Sequence, residues 1–340
     1  MTDKFVIMFI VENGDLEQKV SLLLRSLVIN LKEDRKKVDI VAVKPRKGDD
    51  LSKETLQLFK ESNVVFYDVD LNKEWHLPFA NQAYATAFVE SKYKDAILLY
   101  LDSDILCLNN PLNLSLNENQ KIGLAPDGFS KGNIAVEYGK KIGKHWQYLS
   151  KKLLNREVDN LNFFPVQDFV NRKKFYVYFN TGVIIERTKY GLFNKWKNAF
   201  ELLIDDEELK EWAKNHTKEY HFLDQEIITL LILNEFNRNE IKILSMEFNY
   251  PFGRLPELII KGINTNLSNI TFLHYHWQFY HTLWLDCVEI DDNTRKFLLP
   301  YLPLKLYQSN IQRVTMRNLL RLIFYKTCSL YRSLRYAYES

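Results

Sequence analysis

Continuous apolar runs alternate with amphipathic helical patterns along the first third of the chain. The apolar runs lie at 5–11, 38–43, 63–69 and 96–101, and the helical patterns lie at 16–32, 51–61 and 78–92. A strand that is apolar on both faces must be covered on both faces, and a helix between two strands implies parallel pairing. The sequence therefore predicts a doubly wound α/β fold with a mostly parallel sheet and helices on both faces.

The rest of the chain continues this pattern less regularly. Further strands are predicted at 121–127, 176–186, 241–244 and 270–277, and further helices at 134–155, 192–203 and 222–235. With 340 residues, of which 46% are hydrophobic, the chain has enough apolar material for a large core. We expect one catalytic domain over residues 1–300 and a tail of different character over residues 301–340.

Charge and cysteine content exclude several classes of protein. The net charge of only +3 gives no electrostatic case for a nucleic-acid partner. The three cysteines, Cys107, Cys287 and Cys328, are too few and too scattered for a disulfide framework or a four-thiolate zinc site. The apolar stretch at 5–11 is too short for a secretory signal or a membrane-spanning helix. These features favour a cytoplasmic, reducing location.

Two aspartates, Asp102 and Asp104, follow the apolar run at 96–101. Side chains at i and i+2 of an extended chain share a face, so the two carboxylates converge if the strand continues to residue 104. Ligands of open α/β sheets bind at the carboxyl ends of strands, and carboxylates with phosphate oxygens are typical ligands of a divalent cation. An Asp-x-Asp pattern arises about once by chance in such a chain. Asp68 and Asp70 form a second one, and a solvated strand end is the alternative for each pair.

Five segments, one of which contains the aspartate pair, together form a more specific pattern than the pair alone. They are LLYLDSDIL, GLAPDGF, YFNTGVIIE, FLDQEIITLL and LHYHWQFYHTLW. Over about residues 4–285 the chain resembles nucleotide-sugar glycosyltransferases of the GT-A (Rossmann-like) fold. The resemblance is strongest to glycosyltransferase family 8, retaining galactosyl- and glucosyltransferases that include lipopolysaccharide enzymes. It implies transfer of a hexose from a UDP-linked sugar to a glycan or glycolipid acceptor, with retention.

The resemblance also implies a metal site. In family 8 the Asp-x-Asp carboxylates bind Mn²⁺, for which Mg²⁺ is the alternative here, and the ion bridges the donor diphosphate. The match falls on Asp102 and Asp104, with Ser103 between them in the donor site. A histidine completes the metal site, and its match is His274, which we favour, or His276. Both histidines lie in a strand-like segment where i and i+2 share a face, and a pair of core-edge histidines is the alternative.

Four further residues match positions that surround the donor sugar in the family. The resemblance places Asp127 near the sugar, Asn180 against the donor or acceptor, and Asp224 with Gln225 behind the anomeric carbon. The residues alone leave simpler interpretations open. Asn180 can belong to a turn or bulge, and Asp224 can simply begin a helix, where acidic residues are favoured.

The sequence departs from the family in two places. The helix before the Asp-x-Asp strand lacks the usual donor-binding arginine, which leaves Asn81 or Gln82 as donor contacts. The closing His-x-x-Gly-x-x-Lys-Pro-Trp motif lacks its glycine and its phosphate-binding lysine, so either another cation such as Arg254 replaces the lysine or the donor differs. Two alternatives follow. One is a nucleotidyltransferase, although VENGDLEQK offers only Gly14 for a phosphate loop. The other is a catalytically idle sugar-nucleotide-binding protein.

The C-terminal tail is basic and aromatic. Residues 305–340 contain seven basic residues and one acidic residue, a local charge of +6. Arg313, Arg317 and Arg321 repeat at helical spacing among apolar and aromatic residues, which is typical of a helix on an anionic membrane surface. Family 8 enzymes often carry such tails, so we expect peripheral membrane attachment. A helix packed on the catalytic domain and a nucleic-acid arm are the alternatives.

Overall fold

A central β-sheet organises the protein. The computed structural model describes residues 4–73, 78–127, 135–216, 220–263, 265–305 and 323–327. The strands are β1 Lys4–Ile10, β2 Val38–Lys44, β3 Val64–Asp68, β4 Ala96–Leu101, β5 Ile105–Cys107, β6 Ile122–Pro126, β7 Pro165–Gln167, β8 Lys174–Tyr176, β9 Phe179–Arg187, β10 Ile241–Ile243 and β11 Phe272–His274. The helices are α1 Asp15–Leu31, α2 Lys53–Glu61, α3 Asn81–Lys92, α4 Lys144–Leu154, α5 Leu192–Leu203, α6 Glu207–Asn215, α7 Leu223–Glu235, α8 Leu255–Ile260 and α9 Asp292–Leu298.

Seven strands form the main sheet in the order β10-β6-β9-β4-β1-β2-β3. The pairs among β4, β1, β2 and β3 are parallel, as is the pair of β6 with β10. Strand β9 lies antiparallel between β4 and β6. Two short antiparallel pairs, β5 with β11 and β7 with β8, lie outside this sheet. The predicted mixed α/β fold with a mostly parallel sheet is therefore confirmed.

Each face of the sheet is covered by its own hydrophobic core. Leu98 and Tyr100 of β4 pack with residues of α3, α5 and α7, whereas Leu99 and Leu101 pack on the other face with α1 and α2. This alternation follows from the two-residue period of a strand. It explains why the strand sequences are continuously apolar, since both faces are buried away from water. A third cluster, which includes Trp284, gathers the C-terminal segments beside the sheet.

Three sequence predictions of secondary structure are wrong in part. The helix predicted at 134–155 begins only at Lys144, because Gly139 adopts a φ of 88°, a left-handed conformation that suits glycine and interrupts a helix. The strand predicted at 176–186 is divided between β8 and β9, which belong to different sheets. The strand predicted at 270–277 ends at His274, because His276 has a φ of 49°.

The structure describes only part of the predicted tail. Residues 313, 317 and 321, the three repeated arginines, lie outside the described residues. Residues 323–327 are helical, and the buried Tyr325 donates a hydrogen bond from its hydroxyl to Gln278 Oε1 at 3.0 Å. This short helix packs on the third hydrophobic cluster. Within the described residues, none of the helices is both long enough and apolar enough to span a membrane. Membrane attachment and the boundary at residue 300 stay predictions.

Candidate metal and donor site

A cavity of about 540 Å³ opens where β4 and β6 end. The segment after β4 contributes Asp102 and Asp104, the residue after β6 is Asp127, and the beginning of β9 contributes Asn180. Because β9 is antiparallel to both neighbours, its first residues lie beside the last residues of β4 and β6. Four predicted site residues therefore meet at the carboxyl ends of two strands, where ligands of open α/β sheets bind.

A tight turn, and not an extended strand, brings the two aspartates to this cavity. Asp102 N–H still donates to Gly182 O in β9 at 2.9 Å, but its carbonyl accepts from Ile105 N–H at 3.1 Å and closes the turn. Its Oδ1 accepts from the backbone N–H of Ser103 at 2.8 Å. The condition stated for convergence, a strand that continues to Asp104, is therefore not met, but both carboxylates line one cavity.

The rival Asp-x-Asp pattern has a different environment. Asp68 is half exposed and forms an ion pair with Lys44 at 3.2 Å, and Asp70 lies 3.6 Å from Lys47. Neither aspartate lines the cavity. This pair therefore corresponds to the solvated strand end that was the alternative for both pairs.

Both candidate histidines lie against Asp104. His274 Nε2 lies 3.0 Å from Asp104 Oδ1, and His276 Nδ1 lies 3.4 Å from Oδ2. One ligand atom from each of the three residues lies within 4.8 Å of the others. The β5–β11 ladder explains the position of His274, because it places this residue opposite Ile105, next to Asp104 in the chain.

His276 reaches the same carboxylate by another route. Its left-handed backbone, with a φ of 49°, turns the chain at the end of β11. The turn stacks its ring beside that of His274, with 3.8 Å between the ring centroids. The predicted sharing of one strand face is therefore wrong, but the two imidazoles converge. The side chain of His276 is 46% exposed, whereas that of His274 is 7% exposed.

Two glycines provide the space that the imidazole rings occupy. A Cβ atom at Gly182 would lie 2.6 Å from His274 Cε1, and a Cβ atom at Gly253 would collide with His276 Cδ2. Real Cβ atoms essentially never approach other heavy atoms so closely. Each ring therefore packs directly on backbone that only glycine leaves accessible. This role of Gly253 is not evident from the sequence, where the turn-rich segment NYPFGRLPE gives only a general signal.

The electrostatics of the aspartate pair favour a bound cation. Burial and the neighbouring Asp104 carboxylate raise the pKa of Asp102 to about 7. Burial would also raise the pKa of Asp104, but His274 and His276 hold it well below its usual range. Asp104 Oδ1 is buried and accepts no hydrogen bond from the described residues, even though His274 Nε2 is near. An oxygen in this state, beside two imidazoles, fits a metal ligand.

A buried lysine adds positive charge close to the pair. Lys19 of α1 forms an ion pair with Asp15 at 2.8 Å, and its side chain is only 13% exposed. Burial would lower the pKa of Lys19, but the carboxylates of Asp104 and Asp15 raise it above its usual value. The charge of Lys19 in turn lowers the pKa of Asp102. Sequence reasoning missed this residue, because nothing in a single amphipathic helix identifies the lysine that faces inward.

The remaining predicted donor residues surround the same cavity. Asp224 and Gln225 lie at the beginning of α7 and line the cavity together with Asp127 and Asn180. Asp224 is buried and its Oδ2 accepts from Thr181 Oγ1 at 2.8 Å. Burial raises the pKa of Asp224 to about 7. A carboxyl group with this pKa can be neutral or ionised near physiological pH, so its state responds readily to a charged ligand.

The structure separates the two predicted donor contacts of α3. Gln82 lines the cavity, and its Nε2 lies 3.5 Å from Asp102 Oδ2. Asn81 is buried outside the cavity wall, where it donates to Glu12 Oε1 at 3.0 Å. Glu12 also forms a two-pronged ion pair with Arg46, with both distances at 2.6 Å. Asn81 therefore lies in a polar network at the ends of the parallel strands.

Arg254 also lines the cavity and is held by two carboxylates. Its Nη1 lies 3.1 Å from Asp168 Oδ2, and its Nη2 lies 3.0 Å from Glu257 Oε2. Asp168 belongs to the turn between β7 and β8, where its Oδ1 also accepts from the backbone N–H groups of Val170 and Asn171 at 2.6 Å. The ion pair thus anchors this hairpin beside the cavity and fixes the direction of the guanidinium.

The comparison with protein families identifies the class of protein. A family model described as the Rhodobacterales glycosyltransferase domain matches residues 7–235 of this chain. The chain belongs to that family, and the predicted glycosyltransferase activity is confirmed at this level. The matched segment contains the aspartate pair, Asn180 and Asp224, but ends before His274. No curated protein is significantly similar to the chain in sequence.

Several solved glycosyltransferases are similar to the chain in structure. The galactosyltransferase LgtC, solved with donor and acceptor sugar analogues, has 14% identity and a TM-score of 0.46, over 91% of this chain and 100% of LgtC. The glycosyltransferase GlyE of Streptococcus pneumoniae has 15% identity and a TM-score of 0.46, over 91% of this chain and 62% of GlyE. Mouse xyloside xylosyltransferase 1 has 14% identity and a TM-score of 0.43, over 82% of this chain and 99% of the mouse chain.

Proposed function

We propose that this glycosyltransferase is metal-dependent and moves a hexose from a nucleotide diphosphate sugar, UDP-linked in our proposal, to a hydroxyl of a glycan or glycolipid. One observation carries the proposal. A carboxylate and two imidazoles with ligand atoms within 4.8 Å of one another open into the cavity that Asp127, Asn180 and Asp224 also line. Metal ligands and groups that can bind a sugar therefore face the same space.

Asp104, His274 and His276 would hold the ion, with Asp102 beside them. Two imidazoles together with carboxylates favour Mn²⁺ over Mg²⁺, because Mg²⁺ prefers sites made entirely of oxygen ligands. When bound, the cation would supply Lewis-acid stabilisation of the negative charge on the departing diphosphate. Arg254, whose direction is fixed by its two carboxylate partners, is the cation that we assign to the phosphates in place of the missing family lysine.

The other polar groups of the cavity would act on the sugar. Asn180 and Gln225 offer amide groups that can hold hydroxyls, and Asp127 adds an acceptor at the end of β6. Asp224 can place negative charge near an anomeric carbon that becomes oxocarbenium-like, as carboxylates do in glycoside hydrolysis. We assign retention of configuration to the reaction on the resemblance to family 8.

A catalytically idle protein would be expected to differ from an active enzyme at the candidate metal ligands. An idle relative can lose the metal ligands, so its candidate histidines would be expected to point into the core. Here both rings contact Asp104, and His276 is partly exposed. The orphaned Asp104 Oδ1 also argues for a retained ion site. These observations favour an active enzyme.

A panel of nucleotide sugars tests the proposal. The enzyme is incubated with each donor in the presence of Mn²⁺ or of EDTA, and release of the nucleoside diphosphate is measured. We expect release from at least one UDP-hexose with Mn²⁺ and none with EDTA. Calorimetry of Mn²⁺ binding and of UDP binding in its presence accompanies the panel. Metal-independent release, or absence of both binding signals, would overturn the proposal.

We also propose that the basic tail attaches the enzyme to an anionic membrane that carries the acceptor. The basis is the local charge of +6 over residues 305–340, since each basic residue near such a surface adds about 1 kcal/mol. Deleting the tail would also remove the buried Tyr325, so charge reversal is the sharper test. We expect Arg313→Glu, Arg317→Glu and Arg321→Glu together to abolish sedimentation with phosphatidylserine vesicles while activity on a soluble acceptor remains. Unchanged sedimentation would refute attachment.

A further inference from the structure

Asn249 lies between the candidate metal ligand and a candidate sugar contact. It is 7% exposed, and its Oδ1 lies 3.2 Å from His274 Nδ1. Its Nδ2 donates to Asn180 Oδ1 at 2.8 Å. The same Asn180 Oδ1 accepts from the backbone N–H of Gly182 at 2.9 Å. Four groups from two separate parts of the chain thus form one continuous series of hydrogen bonds.

The direction of every bond in this series follows from one backbone group. The N–H of Gly182 can only donate, so the atom of Asn180 that it contacts must be the oxygen. The atom of Asn249 that faces this oxygen must then be its nitrogen, which leaves its oxygen facing His274. Since an amide oxygen only accepts, Nδ1 of His274 must carry the proton. The tautomer of this histidine is thus deduced from bonding partners whose roles are fixed.

This tautomer determines what Nε2 of neutral His274 presents to the neighbouring Asp104 Oδ1. With its proton on Nδ1, neutral His274 presents a lone pair at Nε2, which lies 3.0 Å from Asp104 Oδ1. Two acceptors then face each other across a short distance, and no hydrogen bond joins them. Such an arrangement requires a positive charge between or beside the two atoms, which is either a proton on Nε2 or a bound cation. A divalent cation that takes both lone pairs satisfies it.

Backbone hydrogen bonds place Asn249 beside His274. Tyr250, the next residue, donates its N–H to Phe272 O at 2.9 Å and accepts from the N–H of His274 at 3.0 Å. These two bonds fix the 249–250 segment beside β11. The backbone that carries the Asn249 side chain is therefore held in place independently of the contacts that the amide makes with the two site residues.

We infer that Asn249 is a positioning residue, which holds His274 in the tautomer that directs Nε2 at the metal and turns the amide nitrogen of Asn180 towards the cavity. This inference rests on the proposed metal-dependent function. Metal-bound histidines generally donate their second ring N–H to an oxygen, and loss of that partner typically weakens metal binding by about 10- to 100-fold. Asn249 would couple the metal ligand to the sugar contact through a single amide.

Calorimetric titration with Mn²⁺ in the absence of any donor tests the inference. We expect Asn249→Ala to raise the Kd for Mn²⁺ by about 10- to 100-fold. Asn249→Asp retains an oxygen that accepts the Nδ1 proton but cannot donate to Asn180 Oδ1, so it should bind Mn²⁺ more tightly than Asn249→Ala while its contact with Asn180 is lost. The rescue by aspartate separates positioning from a general packing role. Asn119→Ala, at an exposed turn, serves as the matched control and should bind like the parent.

A second measurement reads the tautomer directly. Nitrogen-15 NMR of the histidine rings in the parent protein saturated with diamagnetic Zn²⁺, an ion that imidazoles bind well, should show His274 protonated at Nδ1 and not at Nε2. This measurement, with Asn249→Asp, decides the question if Asn249→Ala does not fold. A bare Nδ1, or Asn249→Ala with unchanged Mn²⁺ affinity, would overturn the inference while leaving the proposed function intact. Failure of the parent protein to bind Mn²⁺ would instead remove the proposed function.

Discussion

A pair of carboxyl groups lies near each end of strand β9, and each pair is largely shielded from solvent. Near the beginning of β9, Gly182 O accepts a hydrogen bond from the N–H of Asp102, and Asp102 and Asp104 form the first carboxyl pair. Near the end of β9, Glu186 is completely buried and faces Glu90 of α3. Both pairs place like charges together inside the protein, which costs free energy unless protons, hydrogen bonds or cations compensate.

The glutamate pair is compensated by the protein itself. Glu186 Oε1 accepts from Leu192 N–H at 3.0 Å, and the two carboxylate oxygens of Glu90 accept from the N–H groups of Phe193 and Asn194 at 3.2 and 2.9 Å. These donors are the first residues of α5, where a helix leaves its N–H groups unpaired and favours negative charge. Burial raises the pKa of both glutamates, and the charge of Glu90 further raises that of Glu186.

The aspartate pair lacks such a closed set of partners. It faces a cavity, its neighbours include two imidazoles, and Asp104 Oδ1 accepts no hydrogen bond from the described residues. The comparison teaches that a buried pair of carboxyl groups is not in itself a sign of function. What distinguishes the two pairs is that backbone donors satisfy the glutamates, whereas Asp104 Oδ1 faces a cavity without a hydrogen-bond donor among the described residues.

The largest effect should come from Asp104→Asn. The amide lacks the charge that a cation requires and cannot accept from two sides as a carboxylate does. We expect Mn²⁺ binding to become undetectable by calorimetry and donor turnover to fall by at least about 10³-fold. Asp70→Asn, in the exposed Asp-x-Asp pair, is the matched control and should retain both properties. Parental turnover by Asp104→Asn would show that the aspartate pair does not hold a metal.

Asp224→Asn should lower activity and raise stability together. Turnover should fall by about 10²-fold if the carboxylate acts on the sugar. The folded pKa of about 7 lies above the ordinary value of 3.8, so the folded state binds the proton more tightly. The stability that this proton contributes is complete below about pH 4 and is lost as the pH rises to about 7.

The amide of Asp224→Asn stays neutral at every pH, so the variant does not lose stability as the parent protein does when Asp224 ionises. At pH 8 we expect the free energy of unfolding of Asp224→Asn to exceed that of the parent protein by about 2–4 kcal/mol, since each pKa unit corresponds to about 1.4 kcal/mol. The difference should vanish near pH 4. Urea denaturation of the metal-free proteins at the two pH values measures it. Equal stability at both pH values would mean that burial does not perturb this carboxyl group.

Gly182→Ala tests the space beside the candidate metal ligand His274. Its Cβ atom would lie 2.6 Å from His274 Cε1, so the imidazole must move away from Asp104. We expect the Kd for Mn²⁺ to rise by about 10- to 100-fold, because metal affinity depends on ligand direction. Gly143→Ala, where a Cβ atom meets nothing within 4 Å, is the control and should not alter Mn²⁺ affinity. An unchanged Kd in Gly182→Ala would show that His274 does not bind the ion.

The smallest effect should come from Glu186→Gln in the glutamate pair. The amide keeps an oxygen for Leu192 N–H and can donate to Glu90. Because the pKa of Glu186 is raised, its protonated form contributes stability that is complete below about pH 4.5 and is lost as the pH rises. We expect the variant to gain about 1 kcal/mol at pH 8 in urea denaturation. Mn²⁺ affinity should not change, and a weakened affinity would contradict the separation of the two pairs.

Much of the fold could be predicted from the sequence because its signals are local and repeated. The apolar runs of β1, β2 and β4 and the pattern of α1 each report burial within one segment. The turn after β4 and the left-handed His276 could not be predicted in this way. The turn is paired with Gly182 of β9, and the segment before His276 is held by the bond from Tyr275 N–H to Asp104 O, so each depends on residues far away in the sequence.

Residues of the candidate site could be predicted where the resemblance supplied their types. They could not be predicted where tertiary packing determines which residues meet. Asp104, Asp127 and Asp224 come to one cavity as expected. Asn249 was missed because an asparagine in a turn-rich segment has an ordinary local explanation. Its contact with His274 spans 25 residues, and only the pairing of residue 250 with β11 brings the two together.

The proposed cation site would also impose an order of events during synthesis. Asp104 lies in the first third of the chain, whereas His274 and His276 follow far beyond residue 235, where the matched glycosyltransferase segment ends. A growing polypeptide can form β1, β2 and β4 long before the imidazoles leave the ribosome. The set of metal ligands would therefore be complete only after β11 is synthesised. A chain truncated after α7 would contain most strands of the sheet but would lack the two histidines needed to bind an ion.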